Sequence, residues 1–237
     1  MLSKNDIKFI HSLSQKKFRE ETGLFIVEGD KIVSEAIDSG FKVERVLYMD
    51  EIGEESMSRI SLLSSPSPAL AVLFQKKKTA IEFSKDGLYI ALDSVRDPGN
   101  LGTILRIADW FGIDGIIASE DTVELYNPKV VQASMGAIFR TNVQYVDLYS
   151  ILKELRESIP LYGTFLQAPD IYKERLSNNG IIVMGSESNG ISSNISDLIT
   201  NRLFIPDFSK SDSRGSESLN VAIATAIVCS EFRRSSV

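Results

Sequence analysis

Three polar stretches of the chain hold side chains whose types could do chemistry, and they lie at residues 92–106, 185–190 and 217–220. The middle stretch follows an apolar run and places the carboxylate of Glu187 in a loop flanked by Gly185 and Gly190. A phosphate cradle would need a Walker-type lysine or the G-x-G-x-x-G spacing, and this loop has neither. The loop therefore fits a neutral or cationic ligand that is held by backbone groups.

The first stretch offers two candidate side chains, Asn100 and Arg106, near the start of a predicted helix. Asn100 could simply cap that helix. Arg106 lies off the apolar stripe, which is formed by Leu101, Ile104, Leu105, Ala108 and Phe111. It could pair with Asp109 in solvent, or it could face a ligand or chain that approaches the small residues Gly102 and Thr103.

The third stretch, Glu217 to Asn220, precedes an apolar helix and could be no more than a capping arrangement. Each of the three stretches, taken alone, is a weak signal.

The composition excludes several kinds of site. One cysteine, Cys229, and one histidine, His11, allow neither an intrachain disulfide nor a Cys/His zinc site, so we expect no metal. Cys229 sits in an apolar run and is predicted to pack in the core. The net charge of −6 argues against nucleic-acid binding through bulk charge. An RNA partner would need a local basic patch, for which Lys16, Lys17 and Arg19 are the candidates.

Strands alternate with helices along the chain, which predicts an α/β fold. Residues 1–80 read as a small α/β unit that begins with a helix over Ile7–Glu21, and residues 81–237 read as a second domain after a linker at Lys76–Gly87. In the second domain, strands such as Leu88–Val95 predict a mostly parallel sheet covered on both faces. Its helices are predicted over Asn100–Phe111, with Trp110 as a packing residue, over Pro128–Phe139 and over Leu219–Phe232. The first residues form no signal-peptide core and no run is long enough to span a membrane, so we expect a cytoplasmic protein without membrane association.

The three polar stretches together resemble, in order and spacing, the three motifs of the SpoU (TrmH-like) RNA 2′-O-ribose methyltransferases, a family of the SPOUT class. The resemblance covers Leu88 to Phe232 and includes the segments Asn127–Lys129 and Ser134–Arg140. The N-terminal stretch Phe25–Gly29 looks like part of the ribosomal-protein-like RNA-binding domain that many members carry. The ordered set of three motifs is the more specific of these matches.

The resemblance implies a fold and an activity. It implies a deep C-terminal trefoil knot in the sheet, S-adenosylmethionine bound in that knot, and a homodimer formed through the knotted domain with the site near the subunit interface. Ribosomal RNA is the preferred substrate, because members with an added N-terminal domain more often act on it, and tRNA is the alternative. A non-catalytic RNA-binding protein with a degenerate SPOUT domain is the competing interpretation. A nucleotide-dependent oxidoreductase is disfavoured, since its glycine fingerprint is absent.

The resemblance also assigns residues. The positions that match the family's functional residues are Asn100, Arg106, Glu187, Ser218 and Asn220. The positions whose backbone would contact the cofactor are Gly185, Ile205 and Leu219. One departure is the connection at residues 207–216, which is longer than the family's and leaves the cofactor geometry at that edge open. Because a guanidinium is effectively never neutral, Arg106 is expected to anchor phosphate and stabilise the developing alkoxide, and the acceptor of the hydroxyl proton stays open.

Overall fold

The computed structural model describes residues 2–76, 79–208 and 218–234. The chain divides into two compact units. The first unit joins Met1–Lys78 with Glu124–Arg140, and the second joins Thr79–Val123 with Thr141–Val237. The segment Glu124–Arg140 thus groups with the N-terminal residues, although it lies in the middle of the sequence.

The first unit is built on a small antiparallel sheet. Its three strands have the spatial order β1-β3-β2, with β1 facing β3 from Leu24 opposite Phe74 to Glu28 opposite Leu70. The elements are α1 (Lys4–Ser12), α2 (Lys16–Thr22), β1 (Leu24–Glu28), α3 (Asp30–Asp38), β2 (Val43–Tyr48), α4 (Met49–Ile52), α5 (Glu54–Ile60), β3 (Ala69–Phe74) and, from the later segment, α7 (Pro128–Ser134). The small α/β unit predicted at the N-terminus is therefore present as helices around a sheet.

The predicted single helix over Ile7–Glu21 is wrong, because the helix is interrupted between α1 and α2. Arg19 explains the break. Its Nη1 donates to the carbonyl oxygens of Leu13 at 2.9 Å and Ser14 at 2.8 Å, which lie past the end of α1. Carbonyls at a helix C-terminus lack intrahelical partners, so a buried guanidinium that binds them stabilises the interruption.

The second unit contains the mostly parallel sheet that the alternating pattern predicted. All five strand pairs are parallel, in the order β6-β5-β4-β8-β7-β9. The elements are β4 (Leu88–Leu92), α6 (Pro98–Trp110), β5 (Gly115–Ser119), β6 (Val143–Val146), α8 (Leu148–Leu155), β7 (Leu161–Thr164), β8 (Gly180–Met184), α9 (Ser193–Ser196), β9 (Asn201–Leu203) and α10 (Val221–Arg234). The central strands β4 and β8 are buried at every position, as expected for continuous apolar runs covered on both faces.

Three helices predicted within residues 81–237 have different bounds in the structure. The helix predicted over Leu219–Phe232 runs over Val221–Arg234. The helix predicted from Asn100 begins at Pro98 instead, because Asp97 is its N-cap and accepts from the Asn100 backbone N–H at 2.8 Å. The helix predicted over Pro128–Phe139 ends at Ser134, because Met135 and Gly136 take positive φ values of 49° and 89°. A short 3₁₀ turn follows them.

Cys229 is fully buried in α10, and burial raises the pKa of its thiol to about 12. The prediction that it packs in the core is confirmed. Within the described ranges, no helix has the length and apolar character needed to cross a membrane.

Candidate active site

The candidate site lies where the parallel strands of the second unit end. From β4 the chain continues to β5 and β6 on one side of the sheet, and it later adds β8 and β7 on the other side. Neighbouring strands whose connections lead in opposite directions leave a crevice at their carboxyl ends, where α/β proteins bind ligands. Strands β4 and β8 form such a pair, and two of the three polar stretches follow directly after them.

Three side chains from the three polar stretches meet in one hydrogen-bonded chain. Asn100 donates from its Nδ2 to Oε1 of Glu187 and accepts at its Oδ1 from Nδ2 of Asn220 at 2.8 Å. These partners are 87 and 120 residues away from Asn100 in the sequence. We call this set, Asn100, Glu187 and Asn220, the amide–carboxylate chain.

The direction of the amide–carboxylate chain is fixed from one end. Oδ1 of Asn220 accepts from the backbone N–H of Ala222 at 2.9 Å in the first turn of α10. The Nδ2 group of Asn220 must therefore point away from the helix, and it orients the Asn100 amide so that Nδ2 of Asn100 faces the carboxylate. Glu187 is thus connected through two amides to the N-terminal end of a 14-residue helix.

The loop that carries Glu187 is closed by its own backbone. Ser186 and Gly190 exchange two backbone hydrogen bonds, at 3.1 and 2.9 Å, and Gly190 has a positive φ of 65°. A Cβ atom on Gly185 would lie 2.0 Å from the carbonyl carbon of Gly190. Only glycine at position 185 therefore allows this turn, which holds Glu187 at the end of β8.

Arg106 and Ser218 do not join the amide–carboxylate chain. Both side chains are exposed, and Arg106 makes no hydrogen bond or ion pair with any residue that the structure describes. Trp110, one helical turn after Arg106, is 85% exposed, so the prediction that it packs is wrong for contacts within this chain. Residues four apart share a helix face, and Arg106 and Trp110 therefore lie on one exposed face of α6.

A small cavity lies beside the Glu187 loop, and Glu187 is the one lining residue that was singled out as functional from the sequence. The cavity has a volume of about 150 Å³ and is lined by Asp93, Ser94, Arg96, Ser192 and the loop from Ser186 to Gly190. Its floor is Asp93, which is buried and accepts from the Ser192 backbone N–H at 2.7 Å. Asp93 follows a buried strand directly, which is the sequence signal that could have identified it.

Arg96 is held at the rim of this cavity by Asp121, which follows β5. The Nη2 atom of Arg96 lies 2.7 Å from Oδ2 of Asp121. Ser119 and Ser94 donate to the other carboxylate oxygen at 2.7 and 3.1 Å. These hydrogen bonds, that from Arg96 first, lower the pKa of Asp121 to about 2, although burial opposes them. We call Arg96, Asp121, Ser94 and Ser119 the rim cluster.

Two of the predicted cofactor positions follow strands of the parallel sheet, and the third precedes its last helix. Gly185 follows β8, Ile205 follows β9 and Leu219 precedes α10. Exposed apolar side chains occur after β7, after β9 and before α10, namely Leu166 at 69%, Phe208 at 78% and Leu219 at 49%. Exposed apolar side chains beside strand-end backbone groups fit the adenosine part of S-adenosylmethionine, which offers a flat ring face and polar edges. Most of the long connection at residues 207–216 lies outside the described residues.

The predicted RNA-binding residues have different surroundings within the first unit. Lys16 and Lys17 are exposed, and each lies near an acid one turn later, Glu20 at 3.6 Å and Glu21 at 3.9 Å. Arg19 is only 1% exposed. Its prediction as an RNA contact is corrected, because its guanidinium is used inside the unit.

All three guanidinium nitrogens of Arg19 donate to protein groups. Besides the two carbonyls described above, it binds both carboxylate oxygens of Glu124, at 3.0 and 2.5 Å. Glu124 belongs to the same unit, so this bidentate pair ties the later segment to the N-terminal helices.

No cluster of three or more metal-binding side chains occurs in the part of the chain that the structure describes.

Comparisons with known proteins agree on one family. The model of the SpoU rRNA Methylase family matches residues 87–230, and the model of the MRM3-like substrate binding domain matches residues 4–86. The chain is 29% identical to the 23S rRNA (guanosine(2553)-2′-O)-methyltransferase RlmP of Bacillus subtilis, over 96% of this chain and 95% of that protein. It is therefore similar to that enzyme along its whole length.

Two solved structures support the same conclusion. A protein described as an RNA methyltransferase of the TrmH family from Porphyromonas gingivalis superposes with a TM-score of 0.86 at 39% identity, covering 99% of both chains. The AdoMet-bound rRNA methyltransferase from Sinorhizobium meliloti superposes with a TM-score of 0.87 at 29% identity, covering 99% of this chain and 96% of that one. With a matching family model over more than half of its length, the chain belongs to the SpoU rRNA methylase family.

Proposed function

We propose that the protein is an S-adenosylmethionine-dependent RNA methyltransferase that modifies the 2′-hydroxyl of a ribose in ribosomal RNA. The observation that carries the proposal is the amide–carboxylate chain, in which one side chain from each of the three motif stretches meets at the crevice between β4 and β8. A degenerate family member would have no reason to keep this chain, because Glu187 and Asn220 are exposed, Asn100 is half-buried, and the three contribute little to the core.

The cofactor site is assigned to the ends of β8, β7 and β9. The backbone at Gly185, Ile205 and Leu219 would hold the polar edges of S-adenosylmethionine, and the exposed side chain of Leu166 would cover an apolar face. When bound, S-adenosylmethionine supplies an electrophilic methyl group on a positively charged sulfur.

The protein's own residues then orient the acceptor and manage its proton. Asn220 and Asn100 hold the Glu187 carboxylate in one orientation, and its Oε2 atom is assigned to accept the hydrogen bond, and finally the proton, of the ribose hydroxyl. The guanidinium of Arg106 is assigned to the phosphate beside that ribose, where it also stabilises the developing alkoxide. Ser218 is assigned to position the acceptor beside Asn220.

A homodimer completes this assignment. Helices α6 and α10 run side by side in the same direction. Asn100 and Asn220 are hydrogen-bonded at the N-terminal ends, and Arg233 donates to the carbonyl oxygens of Phe111 and Gly112 at the C-terminal ends. Trp110 on α6 and Ile223 on α10 remain exposed on this helix pair, an apolar surface that a second copy would bury. Arg106 shares the exposed face of Trp110, so a dimer formed through this surface would place Arg106 at the subunit interface. The family resemblance puts the acceptor site near that interface. The trefoil knot and the cytoplasmic location remain predictions of the family resemblance.

The N-terminal domain, residues 1–80, is assigned to RNA selection and residues 81–237 to catalysis. The two family-model matches, which meet between residues 86 and 87, support this division. Ribosomal RNA is preferred over tRNA because the full-length relative from Bacillus subtilis is described as a 23S rRNA methyltransferase.

Methyl transfer to unmodified RNA tests the proposal. The purified full chain would be incubated with S-adenosylmethionine and with ribosomal RNA or tRNA transcribed in vitro. A 2′-O-methyl group protects its own 3′-phosphodiester from alkaline hydrolysis, so protection maps the acceptor. We expect one protected position in ribosomal RNA, and the same position should lose its methyl group in a deletion strain. Protection from alkaline hydrolysis in tRNA alone would identify tRNA as the substrate instead.

The competing function, RNA binding without catalysis, makes a different prediction for the cofactor. A calorimetric titration of the purified protein with S-adenosylmethionine distinguishes the enzyme from a non-catalytic RNA-binding protein. Saturable binding supports the enzyme, whereas RNA binding without cofactor binding would support the non-catalytic protein.

A further inference from the structure

None of the positions assigned to the cofactor lines the cavity beside the Glu187 loop, although Gly185 directly precedes that loop, and of the lining residues only Glu187 has a role in the function proposed above. It is lined by residues that follow β4 and β8, whereas Ile205 and Leu219 line other parts of the edge. It shares Glu187 with the amide–carboxylate chain, so whatever occupies the cavity lies next to the acceptor ribose.

We propose that this cavity receives the base of the nucleotide whose ribose is methylated, and that Arg96 is a specificity-determining residue that hydrogen-bonds the edge of that base. The proposal rests on the function proposed above. It concerns substrate selection, which the methyl-transfer residues do not explain.

The charges around the cavity favour a base over a phosphate. Asp93, Asp121 and Glu187 contribute three carboxylates against the single guanidinium of Arg96. A phosphate would bring a further negative charge into this surplus, and like charges at close range are costly. A nucleobase is neutral and presents both acceptors and donors along one edge, which suits a guanidinium beside carboxylates and serine hydroxyls.

Arg96 is prepared for this contact by the rim cluster. Only its Nη2 atom is engaged by Asp121, and 73% of the side chain is exposed. The remaining N–H groups of the planar fork are therefore available to a ligand, while the ion pair fixes the direction of the fork. Asp121 is itself anchored by two serine hydroxyls from two different strand ends, so the guanidinium is oriented before RNA arrives.

The backbone of this region supports a built site. Ser94 adopts a positive φ of 60°, an uncommon conformation for a residue with a side chain, and its backbone N–H donates to Ser119 Oγ at 2.9 Å. This turn directs the chain from the buried Asp93 at the cavity floor to Arg96 at the rim within three residues. The arrangement places a fixed acceptor and a fixed donor group on two sides of one small space.

The test uses RNA substrates that carry the acceptor sequence mapped above, in four versions that differ only in the base of the acceptor nucleotide. The full-length wild type, Arg96→Ala and Asp121→Asn would be compared by kcat/KM on all four. Arg234→Ala is the matched control, because Arg234 is also exposed and also lies 2.7 Å from a carboxylate oxygen, that of Glu231. Activity of the wild type on the mapped sequence establishes the proposed function independently of the outcome for Arg96.

We expect the wild type to prefer one base by about tenfold to a hundredfold, the range typical of a contact that specifies a base. Arg96→Ala should remove most of this preference by lowering kcat/KM on the preferred RNA alone, and Asp121→Asn should remove part of it. Arg234→Ala should keep the wild-type preference. The proposal is overturned if the wild type does not discriminate, or if Arg96→Ala lowers kcat/KM equally on all four RNAs. If Arg96→Ala lowers kcat/KM equally on all four RNAs and also makes kcat/KM less dependent on salt, Arg96 contacts a phosphate instead.

Discussion

Two regions carry polar residues that were predicted from the sequence to be functional: the amide–carboxylate chain in the second unit and the basic helix α2 in the first unit. The surroundings of these residues differ in the structure. In the chain, Asn100, Glu187 and Asn220 come from distant segments and meet at a strand-end crevice. On α2, Lys16 and Lys17 lie near acids of the same helix, and Arg19 is buried. Convergence from distant segments, rather than charge density along one helix, is the stronger sign of a site.

The largest expected effect tests the structural half of this comparison. Arg19→Met would remove the partner of Glu124 and leave two carbonyls at the helix break without a donor. Breaking a buried ion pair by removing one partner costs roughly 3–5 kcal/mol. Urea unfolding should show a loss near the lower end, since the Glu124 side chain is 21% exposed. Lys17→Met is the exposed control and should change the free energy of unfolding by less than about 0.5 kcal/mol. Equal effects of the two substitutions would contradict a structural role for Arg19.

The next effect concerns Arg106, which is exposed and lies outside the amide–carboxylate chain. Arg106→Ala should lower single-turnover methyl transfer about a hundredfold or more, the scale of losing one preorganised donor. Arg106→Lys keeps the charge but loses the planar fork, and should recover only part of the rate. Cofactor affinity should be unchanged in both. Near-normal turnover of the alanine variant would make Arg106 an ordinary solvated side chain.

The sequence predicted the sheet better than it predicted the contacts of single residues. Continuous apolar runs identify β4 and β8 because strands buried on both faces have no polar alternation. The predicted start of α6 is wrong because Asp97 and Asn100 are both good capping residues. In the structure Asp97 caps the helix, and the Asn100 side chain binds Glu187 instead. Such a choice depends on partners that arrive from elsewhere in the chain.

The same limit explains the errors at Arg19 and Trp110. Neither burial nor exposure of a single large side chain follows from local spacing, since Glu124 is 105 residues from Arg19. The rim cluster was missed for a related reason. Its members lie at the ends of adjacent strands, and their proximity follows from strand order, which the sequence alone did not provide.

A smaller effect sharpens the comparison from the RNA side. If Lys16 and Lys17 contact RNA phosphates in addition to their neighbouring acids, the double variant Lys16→Ala/Lys17→Ala should bind ribosomal RNA more weakly and with a salt slope reduced by about two. Filter binding at several salt concentrations measures both quantities. Glu20→Gln/Glu21→Gln is the matched control and should strengthen binding by releasing the lysines. An unchanged salt slope in the lysine variant would leave α2 a solvated helix face.

The smallest effect is a titration in the rim cluster. The hydrogen bond from Arg96 lowers the pKa of Asp121 to about 2, so the ionised form, and the stability that it contributes, is fully present above about pH 4 and is lost as the pH falls through about 2. In carboxyl-carbon NMR, Arg96→Ala should raise the midpoint of Asp121 toward its ordinary value of 3.8. A midpoint that does not move would show that Arg96 and Asp121 are not paired in solution.

The measurement that tests the central claim most directly is a double-mutant cycle on the amide–carboxylate chain. Single-turnover methyl transfer to the mapped RNA would be compared for the wild type, Asn100→Ala, Glu187→Ala and the double variant, with the exposed Arg234→Ala as the control. Because Asn100 acts by orienting Glu187, each single variant should lose about a hundredfold or more and the double variant little beyond that, while Arg234→Ala stays near wild type. Losses that multiply in the double variant, or single variants with near-normal turnover, would contradict the account.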